Sequence, residues 1–238
     1  MKKASDLKIK IFADGADRAG MLEMNRNKWV SGFTTNPTLM KKAGITNYEA
    51  FAHEILKEIP DKPISFEVFD DEIKEMERQA LKIQKWGKNV YIKIPVTNTK
   101  AEPTYGLIQR LSDQGAQLNI TAILTLEQVK EVTYALKNTK SSIVSVFAGR
   151  IADTGIDPVP MMQACLEIMR LAPKSELLWA SSRELLNIFQ ADAIGCHIIT
   201  ATNDLIKKLD LVGKDLTDYS LDTVKMFYKD ATSAGFKL

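Results

Sequence analysis

Cysteine and histidine are scarce. The 238-residue chain has two of each, Cys165 and Cys196, His53 and His197. Two thiols in segments that read as a helix and a strand make neither a disulfide framework nor a cysteine-rich metal site. The histidines fall in a polar helix and an apolar strand without a carboxylate cluster beside them, which argues against a histidine metal centre. Long apolar runs are also missing. No stretch approaches a membrane-spanning length, and the N-terminal MKKASDLKIKIF lacks the apolar core and cleavage site of a secretory signal. The expectation is a cytoplasmic protein with no membrane partner. Excess charge of either sign is absent too, the formal net charge being +2, and no Lys/Arg run is long enough to follow a phosphate backbone. Nucleic acid is therefore not an expected partner. Neither a GxGxxG nor a P-loop pattern occurs, so no nucleotide cofactor is implied. No Pro-, Gly- or Ser-rich linker and no low-complexity tract divides residues 1–238, which read as one domain.

What the chain has is a repeat of short apolar runs about 25 to 30 residues apart, separated by helical patterns, the mark of βα units around a parallel sheet. The runs are IKIFADG from Ile9, VSGFTTN from Val30, PISFEVF from Pro63, NVYIKIP from Asn89, LNITAIL from Leu118, SIVSVFA from Ser142, ELLWASS from Glu176 and CHIITAT from Cys196. Eight of them favour closure into a (β/α)₈ barrel, and the chain has the length for one. Between them, segments such as Asp71 to Trp86 set Ile73, Met76, Ala80 and Ile83 at helical spacing beneath a charged face. A last segment, Ser220 to Gly235, carries Leu221, Val224, Phe227, Tyr228 and Ala231 on one stripe. It predicts a C-terminal helix that packs on its own barrel or on a neighbouring subunit.

Strands of a parallel barrel are buried on both faces, so a polar residue inside one is either satisfied structurally or functional. Nearly every run here has one. Asp14 closes the first, Thr34, Thr35 and Asn36 the second, and Glu67 sits in the third. Lys93 sits in the fourth, Asn119 and Thr121 in the fifth, Ser145 in the sixth with Arg150 beyond it. Ser181, Ser182 and Arg183 follow the seventh, and Thr200 and Thr202 end the eighth. Active sites of such barrels form at the C-terminal mouth, where most of these residues converge.

Lys93 stands between Ile92 and Ile94. Burial disfavours an ammonium, and a desolvated lysine is a neutral amine able to attack a carbonyl, which points to imine chemistry. A structural ion pair with Glu67 or Asp14 is the alternative. Glu67, between Phe66 and Val68, can hold a water with Thr121 and relay protons. Asp14 reads as a base, or as a helix N-cap. Arg150 and Arg183 lie in loops that often bind phosphate in barrels, although a lone loop arginine also reads as a solvated surface charge.

These residues resemble the transaldolase family in strand order over nearly the whole chain. FTTNP from Phe33, VYIKIPVT from Val90 and ADGAD from Ala13 are similar to its second-strand, Schiff-base and first-strand motifs. The resemblance implies a Schiff base on Lys93, Asp14 as base, and Glu67 with Thr121 around a catalytic water. It implies contacts from Thr35, Asn36, Asn119 and Ser145 to a dihydroxyacetone unit, with Phe147 beside them and Arg183, Ser181 and Arg150 on the phosphate. Glu67 and Phe147 look like the transaldolase versions of positions where the related fructose-6-phosphate aldolases carry Gln and Tyr. Implied substrates are sugar phosphates: fructose 6-phosphate or sedoheptulose 7-phosphate as donor, erythrose 4-phosphate or glyceraldehyde 3-phosphate as acceptor, with no cofactor and no metal. A homo-oligomer, pentamer or decamer, with the C-terminal helix across a neighbour is implied as well. Three positions depart from the family pattern at the expected mouth: Gly15, Ser182 and Trp179. They leave the pocket open to a variant acidic sugar. Two other readings use the same residues: a non-covalent barrel isomerase or epimerase working through Glu67 and Asp14, and a phospho-sugar-binding barrel without turnover.

Overall fold

The computed structural model describes residues 3–237. Eight parallel strands close into a barrel in chain order. They are β1 (Lys10–Asp14), β2 (Val30–Thr34), β3 (Ile64–Glu67), β4 (Val90–Pro95), β5 (Leu118–Ile123), β6 (Ser142–Val146), β7 (Ser175–Trp179) and β8 (Ile198–Ala201). All eight apolar runs of the sequence become strands. The helices are α1 (Arg18–Asn25), α2 (Pro37–Lys42), α3 (Tyr48–Glu58), α4 (Ile73–Ile83), α5 (Tyr105–Asp113), α6 (Leu126–Ala135), α7 (Ala148–Ala152), α8 (Pro158–Ile168), α9 (Leu186–Ala193), α10 (Asn203–Lys207) and α11 (Leu216–Ser233). The fold is a (β/α)₈ barrel. Cys196 lies in the turn before β8 rather than in the strand, buried, with its thiol pushed up to about 12 by desolvation.

Strand side chains alternate between two environments. Ile92 and Ile94 of β4, Ile120 of β5, Val144 and Val146 of β6 and Trp179 of β7 face outward and join the core under the helices. A smaller second core fills the inside of the barrel: Phe12, Ile143, Leu178, Ala180 and Ile198, with Tyr91 and Phe147 against them. One glycine is needed to close it. A Cβ on Gly32 of β2 would meet the Phe12 ring at 2.6 Å, so β2 carries no side chain where that ring fills the interior.

Helix starts follow local capping chemistry. Asn36, Asn47, Thr125, Asp157 and Asp215 each accept a backbone N–H from the first turn of the helix they precede. For the last helix the Asp215 cap moves the start four residues ahead of the apolar stripe read from sequence. No residue of α11 is buried. Leu221, Val224, Phe227 and Tyr228 are all more than half exposed, so the stripe does not pack on its own barrel.

Candidate active site

Period-two alternation explains where the polar strand residues go. Two positions along from the apolar floor residues Phe12, Tyr91, Ile143 and Ile198 lie Asp14, Lys93, Ser145 and Thr200, one step nearer the C-terminal mouth on the same interior face. With Thr34, Glu67 and Thr121 from the intervening strands they line a cavity of about 500 Å³, closed on one side by Asn36 and Leu39 and on the other by Phe147, Arg150 and Ser181. The sequence thus sets a polar ring above an apolar plug.

Lys93 is 6% exposed. Its Nζ lies 3.1 Å from Glu67 Oε2 and donates at 3.1 Å to the Thr35 carbonyl. Ladder register puts Glu67 and Asn119 beside it on the flanking strands. The ion pair considered as an alternative for Lys93 therefore exists, and its carboxylate opens on the cavity. Asp14 accepts from Thr34 Oγ1 at 2.9 Å. Burial raises its carboxyl above the usual value, against the opposing pull of the Lys93 charge and the Thr34 hydrogen bond. It caps no helix; Asp17 takes that part for α1. Thr121 Oγ1 is buried in the cavity wall with no hydrogen-bond partner among the described residues, a position that calls for water or ligand. The set can do acid–base and nucleophilic chemistry. It offers one amine, two carboxylates of unlike surroundings and a hydroxyl.

The remaining sequence-derived candidates divide into two groups. Asn36, Ser145, Phe147, Arg150 and Ser181 line the cavity, and Arg150 stacks its guanidinium 5.5 Å from the Phe147 ring centre. Thr35, Asn119 and Arg183 do not line it. Thr35 is fully buried and turns its hydroxyl to the Ser65 carbonyl, 2.8 Å away, offering only its own carbonyl to Lys93. Both ends of the Asn119 amide are engaged beneath the site, donating to Ser65 Oγ at 2.9 Å and accepting from Ser145 Oγ at 2.6 Å. Arg183 is half exposed and forks onto Asp153, its Nε 3.1 Å from Oδ1. Of the three departures, Ser182 donates to the Thr200 carbonyl at 2.7 Å. Trp179 is fully buried in the outer core, away from the mouth where it was expected.

Two wall residues have a backbone that the sequence did not announce: Ala122 was no candidate at all, and Ser181 was one only as a phosphate contact. Ala122 and Ser181 are non-glycine residues at φ 61° and 65°, a left-handed conformation that costs roughly 1–3 kcal/mol and tends to collect at functional sites. Ala122 sits in a bulge, since β5 advances three residues from Ile120 to Ile123 while β6 advances two from Val144 to Val146. The carbonyl of Ser181 fills the space a side chain would need at Gly149; a Cβ there would lie 1.6 Å from it. Thr34, which orients Asp14, gave a signal only as one of several polar residues ending a strand.

Geometry alone defines a class: a (β/α)₈ barrel with a buried, carboxylate-paired lysine at its C-terminal mouth. The sequence model of the family described as Transaldolase/Fructose-6-phosphate aldolase matches residues 11–238. The chain belongs to that family. Relatives named "Probable transaldolase" include one from Streptococcus agalactiae serotype V, 32% identical over 223 residues, covering 93% of this chain and 97% of its own. Another from Thermoanaerobacter sp. is 31% identical over 231 residues, covering 97% and 100%. Among solved structures, the tryptophan synthase A-subunit from Pyrococcus furiosus superposes with a TM-score of 0.57 at 11% identity, covering 89% of this chain and 93% of its own. KGPDC from Streptococcus mutans does so at 0.52 and 11%, covering 82% and 88%. At such identities the likeness is one of fold alone.

Proposed function

We propose that this chain is a transaldolase that moves a dihydroxyacetone unit from a ketose phosphate to an aldose phosphate through a Schiff base on Lys93. The observation that carries the reading is the Lys93 amine, buried at the cavity floor with Glu67 Oε2 at 3.1 Å. The amine attacks the ketose C2 carbonyl. Glu67, working through a water also held by Thr121 Oγ1, passes the proton that lets the carbinolamine lose water to the imine. Asp14 takes the proton of the C4 hydroxyl as the C3–C4 bond breaks. The aldose leaves, and the electron pair remains on the enamine until the acceptor aldehyde takes it up. Return of the proton from Asp14 and hydrolysis of the imine restore the amine.

Asn36 and Ser145 face the hydroxyls of the three-carbon unit, with Asn119 acting from below through Ser145. Arg150, stacked on Phe147, receives the phosphate, and the Ser181 hydroxyl flanks it. Arg183 reaches that group only by leaving Asp153. Fructose 6-phosphate or sedoheptulose 7-phosphate fits as donor, and erythrose 4-phosphate or glyceraldehyde 3-phosphate as acceptor. Transfer is favoured over release of free dihydroxyacetone because positions 67 and 147 carry Glu and Phe. The bare apolar side of α11 supports a homo-oligomer in which that helix crosses a neighbouring copy.

Borohydride reduction in the presence of fructose 6-phosphate, followed by peptide mass spectrometry, tests the chemistry. A reduced adduct on Lys93 is expected; no adduct with any of several ketose phosphates refutes it. Parallel assays with and without erythrose 4-phosphate separate transfer from cleavage. Dihydroxyacetone appearing faster than the transfer product would make the chain an aldolase.

A further inference from the structure

The ladder between β2 and β3 stops one step early. Phe33 N–H bonds to the Pro63 carbonyl at 2.9 Å and Thr35 N–H to the Ser65 carbonyl at 3.2 Å. A parallel ladder advancing by two would next join Glu67 N–H to the Thr35 carbonyl, and the N–H of residue 37 to the Glu67 carbonyl. Residue 37 is a proline and has no N–H. Without a replacement, the Glu67 carbonyl would be left orphaned at the base of the site.

The replacement comes from a helix. The Tyr48 hydroxyl accepts from Glu67 N–H at 2.7 Å and donates to the Glu67 carbonyl at 3.0 Å, satisfying both backbone groups with one atom. The Thr35 carbonyl, left out of the ladder, accepts Lys93 Nζ instead. Tyr48 is the first residue of α3, behind the Asn47 cap, and its ring stands edge-on to Phe66 at 6.2 Å and Phe69 at 5.6 Å with Trp86 at 5.7 Å. Rings so packed fix where the hydroxyl lies. Burial raises the phenol far above its usual range, so it keeps its proton and stays a donor.

We propose that Tyr48 is a positioning residue for the amine: by taking the ladder place of the Thr35 carbonyl on Glu67, it reserves that carbonyl for Lys93 and fixes the strand end that carries the Glu67 carboxylate. The proposal rests on the Schiff-base reading of the same site. Without the hydroxyl, β3 can close onto β2, Glu67 N–H takes Thr35, and Lys93 loses an oxygen that aims it.

The test is Tyr48→Phe beside Trp86→Phe, a variant that loosens the same ring cluster but leaves the hydroxyl. Expected for Tyr48→Phe is a kcat lowered about tenfold to hundredfold, a donor KM within about twofold, and an equally slowed build-up of the borohydride-trapped Lys93 adduct, the scale set by small misplacements of reacting groups. Trp86→Phe lowers the melting temperature but keeps kcat. Equal kcat loss in both variants, or parental rates in Tyr48→Phe, overturns the proposal. Tyr48→Phe/Pro37→Ala gives back the missing N–H; the ladder then closes, and the melting temperature recovers while the rate does not. Recovery of the rate together with stability also overturns it. The parent enzyme is the control: no adduct there refutes the Schiff base, whereas an adduct that forms as fast in Tyr48→Phe refutes only the role of Tyr48.

Discussion

At the scale of single residues, Lys93 and Asp14 are set apart by their surroundings rather than by type. Lys93 lies against a carboxylate oxygen and a carbonyl; Asp14 meets, among the described residues, only a threonine hydroxyl at hydrogen-bond distance and feels the lysine charge at longer range. Lys93→Met keeps the stem that packs in the barrel and removes the amine. Turnover should vanish and no adduct should form, with a melting temperature within about 5 °C of the parent; a variant that still transfers would refute the mechanism. The raised carboxyl of Asp14 gives a prediction with a definite sign. As a base it must be ionised, so kcat should fall on acidification at a pH above the ordinary aspartate range. A folded-state pKa above the unfolded one also means that the native protein binds the proton first as pH drops, so the stability cost of this carboxyl is absent below the unfolded value, grows as pH rises between the two values and is complete above the folded one. Asp14→Asn should lose carbon–carbon cleavage, still trap the imine, and melt higher than the parent at pH 8. That margin should shrink as pH falls; a margin that grows on acidification would contradict the assignment.

Elements show how backbone needs constrain side chains. Gly32 admits the Phe12 ring and Gly149 admits the Ser181 carbonyl, and the two differ in what must yield. A ring can be shortened, so Gly32→Ala should destabilise by about 1–3 kcal/mol through overpacking, with Phe12→Leu recovering much of the loss in a double-mutant cycle. A carbonyl in a bent loop cannot. Gly149→Ala should cost at least as much and find no single compensating change, and urea unfolding of the set measures both. At this scale the sequence was legible in its strands, because period two and β-rich apolar runs are local signals. Trp179 shows the limit: its place next to the mouth motif said nothing of which face it would take, and alternation turned it outward. The Ala122 bulge was equally hidden, since alanine carries no left-handed preference.

Over the whole molecule, the exposed side of α11 is the largest departure from a self-contained barrel. Leu221, Val224, Phe227 and Tyr228 all stand in the open along one stripe of it, and under the proposed homo-oligomer a neighbouring copy covers them. Sedimentation should find an assembly larger than a monomer that dissociates when residues 216–238 are deleted. A monomeric full-length chain would remove the case for a helix crossing to its neighbour.

By itself the sequence determined the barrel, its eight strands and the polar residues at their ends, because each follows from spacing along a few consecutive residues. It also carried the family motifs around Lys93. Tertiary structure alone decided which of those residues meet. It turned the Thr35 hydroxyl and the Asn119 amide away from the cavity, tied Arg183 to Asp153 and brought Tyr48 from a helix onto the backbone of Glu67. Each of these depends on a partner nineteen to fifty-four positions away. Hydrogen bonds at that separation are set by the closing of the barrel, and no local pattern of residue types records them.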